Sequence, residues 1–577
     1  MLAKVSEKQM HRIRWGLTIG WLILIFSLFY DPISSVLTDP NNLSSPFRLR
    51  PEIFLDPEQC VKVQGECLSE RVYPMGARIW WAMIVPIAIF VLLVFGHEFW
   101  RRICPLSFLS QIPRALGLQR KRKAIDPMTG ETVSELVTIG ENSWLGRNHL
   151  ILQFGLFFLG LIFRILFINS DRTALGLFLI FTILSSIVVG YLYAGKSWCN
   201  YFCPMAPVQM VYNGPRALFG SQAHQQEKQG VTQSMCRTVD SVGRDKSVCV
   251  ACKSPCIDID AEKTYWEELK KPGRRLVQYG YLGMVYAFYF YYFLYSGNWD
   301  YYFSGAWTHE EAQLSTVFDP GFYLYNQAIP IPKLFAVTIT FAFFVGFGYL
   351  VGTQSEKAYR FYRHRKDRPV SSQQAQHVIF TLSTVFSFWI FYCFGARPNL
   401  NLLPTPILLG FNGLIVLVSA LWLYQTLGRT LEQYSRENLA VRLRKQLKKL
   451  DIDFSQFLEG RSLEDLNPDE LYVLARVLPG FSENYRLPVY RGVLKDAFEN
   501  RSVTPNRSLI AFQTLRKELR ISDREHQQII EQLALDFPDS IAPYMQKISD
   551  SDKTILRSNS NSRRDLTQIY MGDKHKQ

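Results

Sequence analysis

The chemistry of this chain is concentrated in its cysteines. Cys249-Val-Ala-Cys252-Lys-Ser-Pro-Cys256 places two thiols round one tight turn and a third soon after. That spacing suits three corners of an iron–sulfur cube, although the second gap is three residues rather than two. Two residues compete as fourth ligand: Cys236 is near in sequence, and Cys203-Pro204 has the Cys-Pro form of a remote cluster ligand. Zinc competes for the same set, because short-spaced cysteine groups also hold it tetrahedrally. A second group is Trp198-Cys199-Asn200-Tyr201-Phe202-Cys203-Pro204. Its cysteines, four apart at the end of a helix, are expected one turn apart on one face, with Pro204 ending the helix.

These thiols must be positioned by membrane helices. A span needs about 20 apolar residues, and eight segments qualify: 15–30, 79–99, 149–168, 174–194, 276–296, 334–352, 376–395 and 405–427. Basic residues crowd segments 101–147, 196–275 and 357–368, whereas 31–78 and 297–333 are acidic or neutral. The positive-inside rule therefore puts both termini and the even-numbered loops in the cytoplasm. Cys104, Cys199, Cys203, Cys236, Cys249, Cys252 and Cys256 then all fall on the reducing side, where metal ligation is favoured over disulfides. Cys60 and Cys67 fall outside and are expected to pair, and Cys393 is expected to pack within a span. Arg164 is expected to snorkel from the outer end of its span.

The chain also repeats itself. Phe95-Gly96-His97-Glu98-Phe99-Trp100-Arg101-Arg102-Ile103-Cys104-Pro105 closes the second span as residues 194–204 close the fourth, with Cys104-Pro105 on Cys203-Pro204 and Trp100 on Cys199. Pro113-Arg114-Ala115-Leu116 and Pro215-Arg216-Ala217-Leu218 follow in turn. The chain thus carries a duplicated unit of a kind that membrane folds reuse.

A span, C-x3-C-P and a following cysteine cluster together resemble the polyferredoxin-like membrane proteins. That group includes accessory electron-transfer subunits of periplasmic nitrate reductase and nitrous-oxide reductase systems and a cytochrome-oxidase assembly factor. The resemblance covers roughly residues 78–283, about a third of the chain. It implies [4Fe-4S] binding on the cytoplasmic face and one-electron transfer, with the family motifs falling on Cys199, Cys203, Cys249, Cys252 and Cys256. The first copy keeps only Cys104, and the family's second C-x2-C-x2-C-x3-C-P run is missing. Seven thiols cannot fill eight corners, so one full cluster is expected, held by Cys249, Cys252 and Cys256 with Cys203 or Cys236. A second, three-thiolate site would draw on Cys104, Cys199 and the cysteine left over.

The remaining residues narrow the function. The net charge of +14 is explained by basic loops and mixed-charge helices, and no zinc finger, basic zipper or stacking signature suggests nucleic-acid binding. His97, His149 and His377 sit at span ends, not at the staggered depths of a haem wire. The aromatic fifth span suits helix packing or an interfacial belt, with a quinone pocket as the alternative. His224 and His309 have no partner spacing. Beyond 429 the pattern becomes soluble helices, with capping signals at Ser462, Thr504 and Ser522. Residues 493–530 are similar to the small all-helical tellurite-resistance-B-type domain, which implies docking or regulation. The loop from Asp496 lacks the ligands of a calcium hand, and 551–577 is polar enough to be disordered.

The expected fold is an all-α, polytopic membrane bundle of about eight spans, with a cytoplasmic ferredoxin-like iron–sulfur loop and a soluble helical C-terminal domain. The expected domains are 1–78, an anchor and outer loop; 79–275, the duplicated unit; 276–428, further spans; 429–545, the helical domain; and 546–577, the tail. The expected function is membrane-bound electron transfer, from a soluble ferredoxin-like donor to quinone or a partner membrane protein. A redox or oxygen sensor and a metallocofactor assembly reductase are its rivals. The expected location is the inner (plasma) membrane of a bacterium or an internal photosynthetic membrane.

Overall fold

The computed structural model describes residues 5–49, 60–125, 131–225, 236–239, 245–310, 313–450, 452, 454, 458, 460–477, 485–499, 512–513, 515–537 and 541. The expected Thr504 cap and the 551–577 tail lie outside these residues. The described chain is mostly helical, and its strands form four two-stranded antiparallel hairpins. It divides into two compact units, one comprising 1–221 and 230–428, the other 222–229 and 429–577.

In the first unit seven helices are long and apolar enough to cross a membrane: α1 (Glu7–Phe29), α2 (Gly76–Val94), α3 (Trp144–Ile168), α4 (Arg172–Leu192), α5 (Lys333–Arg365), α6 (Ser372–Phe394) and α7 (Thr405–Leu427). Their large side chains face outward, as Phe181 and Leu184 do on α4, Phe343 and Phe347 on α5, and Leu409 and Leu417 on α7. Water would penalise that exposure and a hydrocarbon surround does not, so the chain is a membrane protein. The eighth expected span is helical but not among the seven. Leu276–Ser296 is a π turn followed by α8 (Tyr281–Ser296), and its seven tyrosines lower its mean hydropathy. It is largely buried, with Tyr289, Tyr291 and Tyr292 in the core and Tyr286 and Phe290 exposed.

Glycine sets the closest helix approach. A Cβ at Gly283 of α8 would lie 2.1 Å from the carbonyl oxygen of Phe344 on α5, and one at Gly348 would lie 2.6 Å from that of Tyr279. Small residues let backbones meet where the lipid itself supplies no hydrophobic drive.

Arg164 does not snorkel. It begins a π turn, is only 8% exposed, and lies 3.9 Å above the Trp81 ring and 4.4 Å from that of Phe288. Its Nε donates to Asn169 Oδ1 at 3.0 Å. Cation–π contact and an amide replace water here. Cys393 likewise differs from expectation, since it is exposed on α6 rather than packed.

Cys60 and Cys67 form a disulfide across the hairpin of β1 (Lys62–Val63) and β2 (Glu66–Cys67). That loop sits at the C-terminal end of α8, where Gln64 N–H donates to the Ser296 carbonyl at 3.1 Å. At the other end of α8, Tyr281 donates to the Tyr212 hydroxyl at 3.1 Å, only nine residues beyond Cys203. Sixteen helical residues separate these ends by about 24 Å. The starts of α1 and α6 and the end of α7 join the Cys203 side: Glu7 N–H meets Asp245, and His377 Nε2 donates to the Thr426 carbonyl at 2.9 Å.

The second unit is an amphipathic helical cluster. Its first helix, Leu431–Leu447, begins in a capping box made by Thr430 and Gln433, and Asp523–Asp536 begins in one made by Ser522 and Glu525. The Ser462 signal instead closes a turn on Asp465, before the helix that starts at Pro468. His224, which sequence spacing left without a partner, lies 2.6 Å from Glu437 here.

Replacing Gly283 with leucine should wedge α8 from α5. We expect a loss of about 1–3 kcal/mol, read as a lower midpoint in thermal unfolding of the detergent-solubilised protein, with Gly410→Leu, whose Cβ meets nothing, as the unaffected control.

Candidate functional site

The two copies of the repeat have the same backbone. Each opens on a left-handed glycine, Gly96 at φ +79° and Gly195 at φ +74°, eight residues before its Cys-Pro. Each then breaks its helix at the cysteine, Cys104 at φ −61°, ψ 120° and Cys203 at φ −56°, ψ 119°. In the first copy the Cys104 N–H reaches back to the Trp100 carbonyl at 2.9 Å, and in the second the Cys203 N–H reaches one residue further, to Trp198 at 2.8 Å. The second copy is therefore a π turn, Trp198–Phe202. It stands apart from α4, which ends at Leu192, rather than forming its last turn as expected.

Both copies grip the segment that follows Cys256. His97 Nε2 contacts the Ile257 carbonyl at 2.9 Å. Arg101 donates from Nη1 to Asp258 at 2.7 Å and from Nη2 to Asn200 Oδ1 at 2.7 Å. Lys196, the counterpart of His97 in the second copy, approaches Asp258 at 3.7 Å. All three charged side chains are at most 3% exposed. Burial alone would raise the Asp258 pKa, but Arg101, Lys196 and His97 outweigh it and hold the carboxyl below its usual range.

Around this ion cluster the seven expected ligands fall into two groups. Cys104, Cys199 and Cys203 form the first: burial, and then neighbouring Cys199, push the Cys104 thiol up to about 11. Cys203 is raised by burial and then by Cys199 and Cys104. Cys236, Cys249, Cys252 and Cys256 form the second. Burial, then Asp258 and neighbouring thiols, raise Cys236 to about 11 and Cys256 to about 12. Cys203 is buried, Cys249 exposed and the others half-buried. Sequence spacing left Cys203 and Cys236 as rivals for the fourth corner; Cys236 couples electrostatically with Cys252 and Cys249, and Cys203 with Cys199 and Cys104.

Among the described residues no three His, Cys, Asp or Glu side chains close to the distances of a bound metal. Thiols exert little attraction on one another, and the cation itself is what draws such a set together. The donor chemistry nevertheless suits a soft metal or an iron–sulfur cluster: seven thiols, a buried carboxylate at Asp258 that pairs with Arg101 and approaches Lys196, and a close-fitted wall. A Cβ at Gly195 would lie 2.8 Å from Cys252 Sγ, so only glycine allows that approach. Asn200 Nδ2 donates to the same sulfur at 3.5 Å, and the Tyr201 hydroxyl donates to the Cys252 carbonyl at 3.1 Å. Buried Trp198 Nε1 beside Cys199 has no acceptor.

A second buried tie secures the loop. Lys253 Nζ lies 3.0 Å from Glu268 and 3.3 Å from His149 Nε2, and His149 Nδ1 donates to the Gly146 carbonyl at 2.8 Å. Sequence reasoning missed Arg101, Lys196, Asn200, Asp258 and Lys253. The signal was present in the repeat, because His97/Lys196 and Arg101/Asn200 occupy matched positions.

Asp258→Asn should leave Arg101 and Lys196 without a counter-charge in a dry site. We expect destabilisation of about 3–5 kcal/mol, seen as a lowered unfolding midpoint, with Asp171→Asn, at the N-cap of α4, costing about 1 kcal/mol or less.

Comparison of the chain with protein-family models, with curated proteins and with solved structures found no match in any of the three. The resemblance to the polyferredoxin-like proteins stands on its motif residues.

Proposed function

We propose that this protein is a membrane-bound iron–sulfur electron carrier that accepts electrons on the cytoplasmic face and passes them to quinone or to a partner membrane protein. The observation that carries the reading is the gathering of seven thiols around one buried ion cluster built from both halves of a duplicated unit. Cys236, Cys249, Cys252 and Cys256 would hold a [4Fe-4S] cluster, and Cys104, Cys199 and Cys203 a second, three-thiolate site. A cluster held there supplies a one-electron couple. The chain's own residues set the conditions: Arg101 and Lys196 offset the negative charge of thiolates, Asn200 donates to Cys252 Sγ, and the close wall at Gly195 keeps water from it.

Sidedness is supported by redox chemistry. The Cys60–Cys67 disulfide suits an oxidising compartment, and seven of the eight free thiols, all but Cys393, lie toward the other end of α8, which suits a reducing one. The N-terminal end of α1 and the C-terminal end of α7 share the thiol side, which supports cytoplasmic termini in a multi-pass protein. The expected basic loop is a β-hairpin, β3 (Lys121–Ile125) and β4 (Thr132–Leu136), with Lys121, Arg122 and Lys123 exposed. Its cations would steer an acidic ferredoxin-like donor.

A sensor is the second reading, favoured by one feature: between Cys203 and Cys236 the described residues 222–225 belong to the helical unit rather than to the thiol-bearing one. Cluster loss would then act directly on a segment of that unit.

Anaerobically purified protein should contain iron and acid-labile sulfide, and reduction should give a paramagnetic signal. Cys236→Ser and Cys252→Ser should each remove at least half of the iron, while Cys104→Ser should spare the reducible cluster; zinc without sulfide would overturn the proposal. Separately, Lys121→Glu/Lys123→Glu should slow reduction by a ferredoxin-like donor about 10-fold or more at low salt and erase its salt dependence. An unchanged salt dependence would remove the steering role.

A further inference from the structure

Arg164 lies within α3, toward the end of α8 that carries the disulfide, and its burial leaves a charge unanswered. A guanidinium keeps its proton at any working pH, and a charge buried within a membrane protein persists only with partners. The partners present are incomplete. Trp81 of α2, Phe288 of α8 and Trp307 of the 297–332 segment surround its central carbon at 3.9, 4.4 and 5.7 Å from their ring centres. Nε donates to Asn169 Oδ1 at 3.0 Å. Rings and amide thus cover the flat faces and one corner, and among the described residues neither Nη1 nor Nη2 has an acceptor. Cation–π contact offsets only part of what the lost hydration supplied.

The groups within electrostatic reach of the guanidinium sharpen the deficit. They are Tyr289, Tyr292 and Tyr302, all buried, with no carboxylate among them. Glu310 acts on Tyr292, but it is committed to the Tyr301 hydroxyl and to Gln313 Nε2 at 2.9 Å. Tyr292 accepts from Asn169 Nδ2 at 2.5 Å. The Tyr302 ring stacks on Trp307 at 5.6 Å and lies 4.9 Å from that of Tyr292, and its hydroxyl has no hydrogen-bond partner among the described residues. Donors therefore outnumber acceptors around one buried positive charge.

We propose that a small monovalent anion of halide size binds at the Nη edge of Arg164, with the Tyr302 hydroxyl as its second donor. The anion supplies the countercharge that the guanidinium lacks and the acceptor that Tyr302 lacks. Its size follows from the walls: three rings from separate elements close on the guanidinium within 5.7 Å, and an organic anion would have to displace them. Occupancy ties α2, α3, α8 and the 297–332 segment to one another. Nothing in this inference depends on the metal chemistry of the cysteines.

The test uses the full chain in detergent, exchanged into gluconate salt and titrated with chloride or bromide at constant ionic strength. Chloride between about 1 and about 100 mM should raise the thermal midpoint by several degrees, and radiolabelled chloride should bind saturably at about one ion per chain. Bromide should displace it and gluconate should not. Arg164→Met, which removes the charge and keeps an unbranched apolar stem, should abolish both effects. Lys62→Gln, at an exposed cation of the disulfide hairpin, should keep both. Tyr302→Phe leaves the guanidinium and the rings in place, and should weaken chloride binding about 5-fold or more; it carries the test should Arg164→Met not fold. A midpoint that rises equally in gluconate, an absence of saturable chloride binding, or binding unchanged in Arg164→Met, or in Tyr302→Phe where that variant alone folds, overturns the site.

Discussion

One buried carboxylate organises the thiol side of this protein. Asp258 lies two residues beyond Cys256 and takes Arg101 from one copy of the repeat and approaches Lys196 from the other. A charge this deeply buried survives only with partners, so the three residues fix one another. The loop carrying Cys249, Cys252 and Cys256 contributes little regular structure of its own. Its position is set from outside, by the Asp258 cluster at one end and by the Lys253–Glu268–His149 tie between its cysteines and α3.

That dependence explains why the repeat exists in two copies. A single span ending in Cys-Pro could offer one cation; two copies meeting over the same carboxylate close the contact from both sides. The left-handed glycines, Gly96 and Gly195, turn each segment back toward the loop. Gly195 additionally presses against Cys252, and Gly96 against Asn213, where a Cβ would fall 2.6 Å from Oδ1. Both glycines serve an approach as well as a turn.

Much of this was legible in the sequence, and the omissions have physical causes. Apolar length revealed seven spanning helices because hydrocarbon contact demands it. The helix over 276–296 falls outside those seven because its tyrosines lower its mean hydropathy, although it runs between the disulfide end and the thiol end of the unit. Periodicity placed Cys199 and Cys203 on one α-helical turn, but it has no term for the extra residue of a π turn, which only the long reach of the Cys203 N–H reveals. The Arg164 expectation assumed that water was the only good partner for a guanidinium. Trp81 and Phe288 supply another, and they lie 83 and 124 positions away. The cysteine types were readable from spacing, whereas their grouping required the fold, since Cys104 and Cys203 are separated by 99 residues.

The grouping also follows from a single difference between the copies. Position 100 is tryptophan where the second copy has Cys199, so the pair contributes three thiols instead of four. The Cys104 N–H closes an α turn on Trp100 in the first copy, where the Cys203 N–H of the second closes a π turn on Trp198. Cys199 instead approaches Ser107 of the first copy at 3.3 Å, spanning the gap between copies and standing within electrostatic reach of both Cys104 and Cys203. The two sets are unlike, Cys249, Cys252 and Cys256 on an irregular loop held by buried charge and Cys104, Cys199 and Cys203 on the helix breaks of the repeat, so the position of the first set depends on the Asp258 cluster and that of the second on backbone.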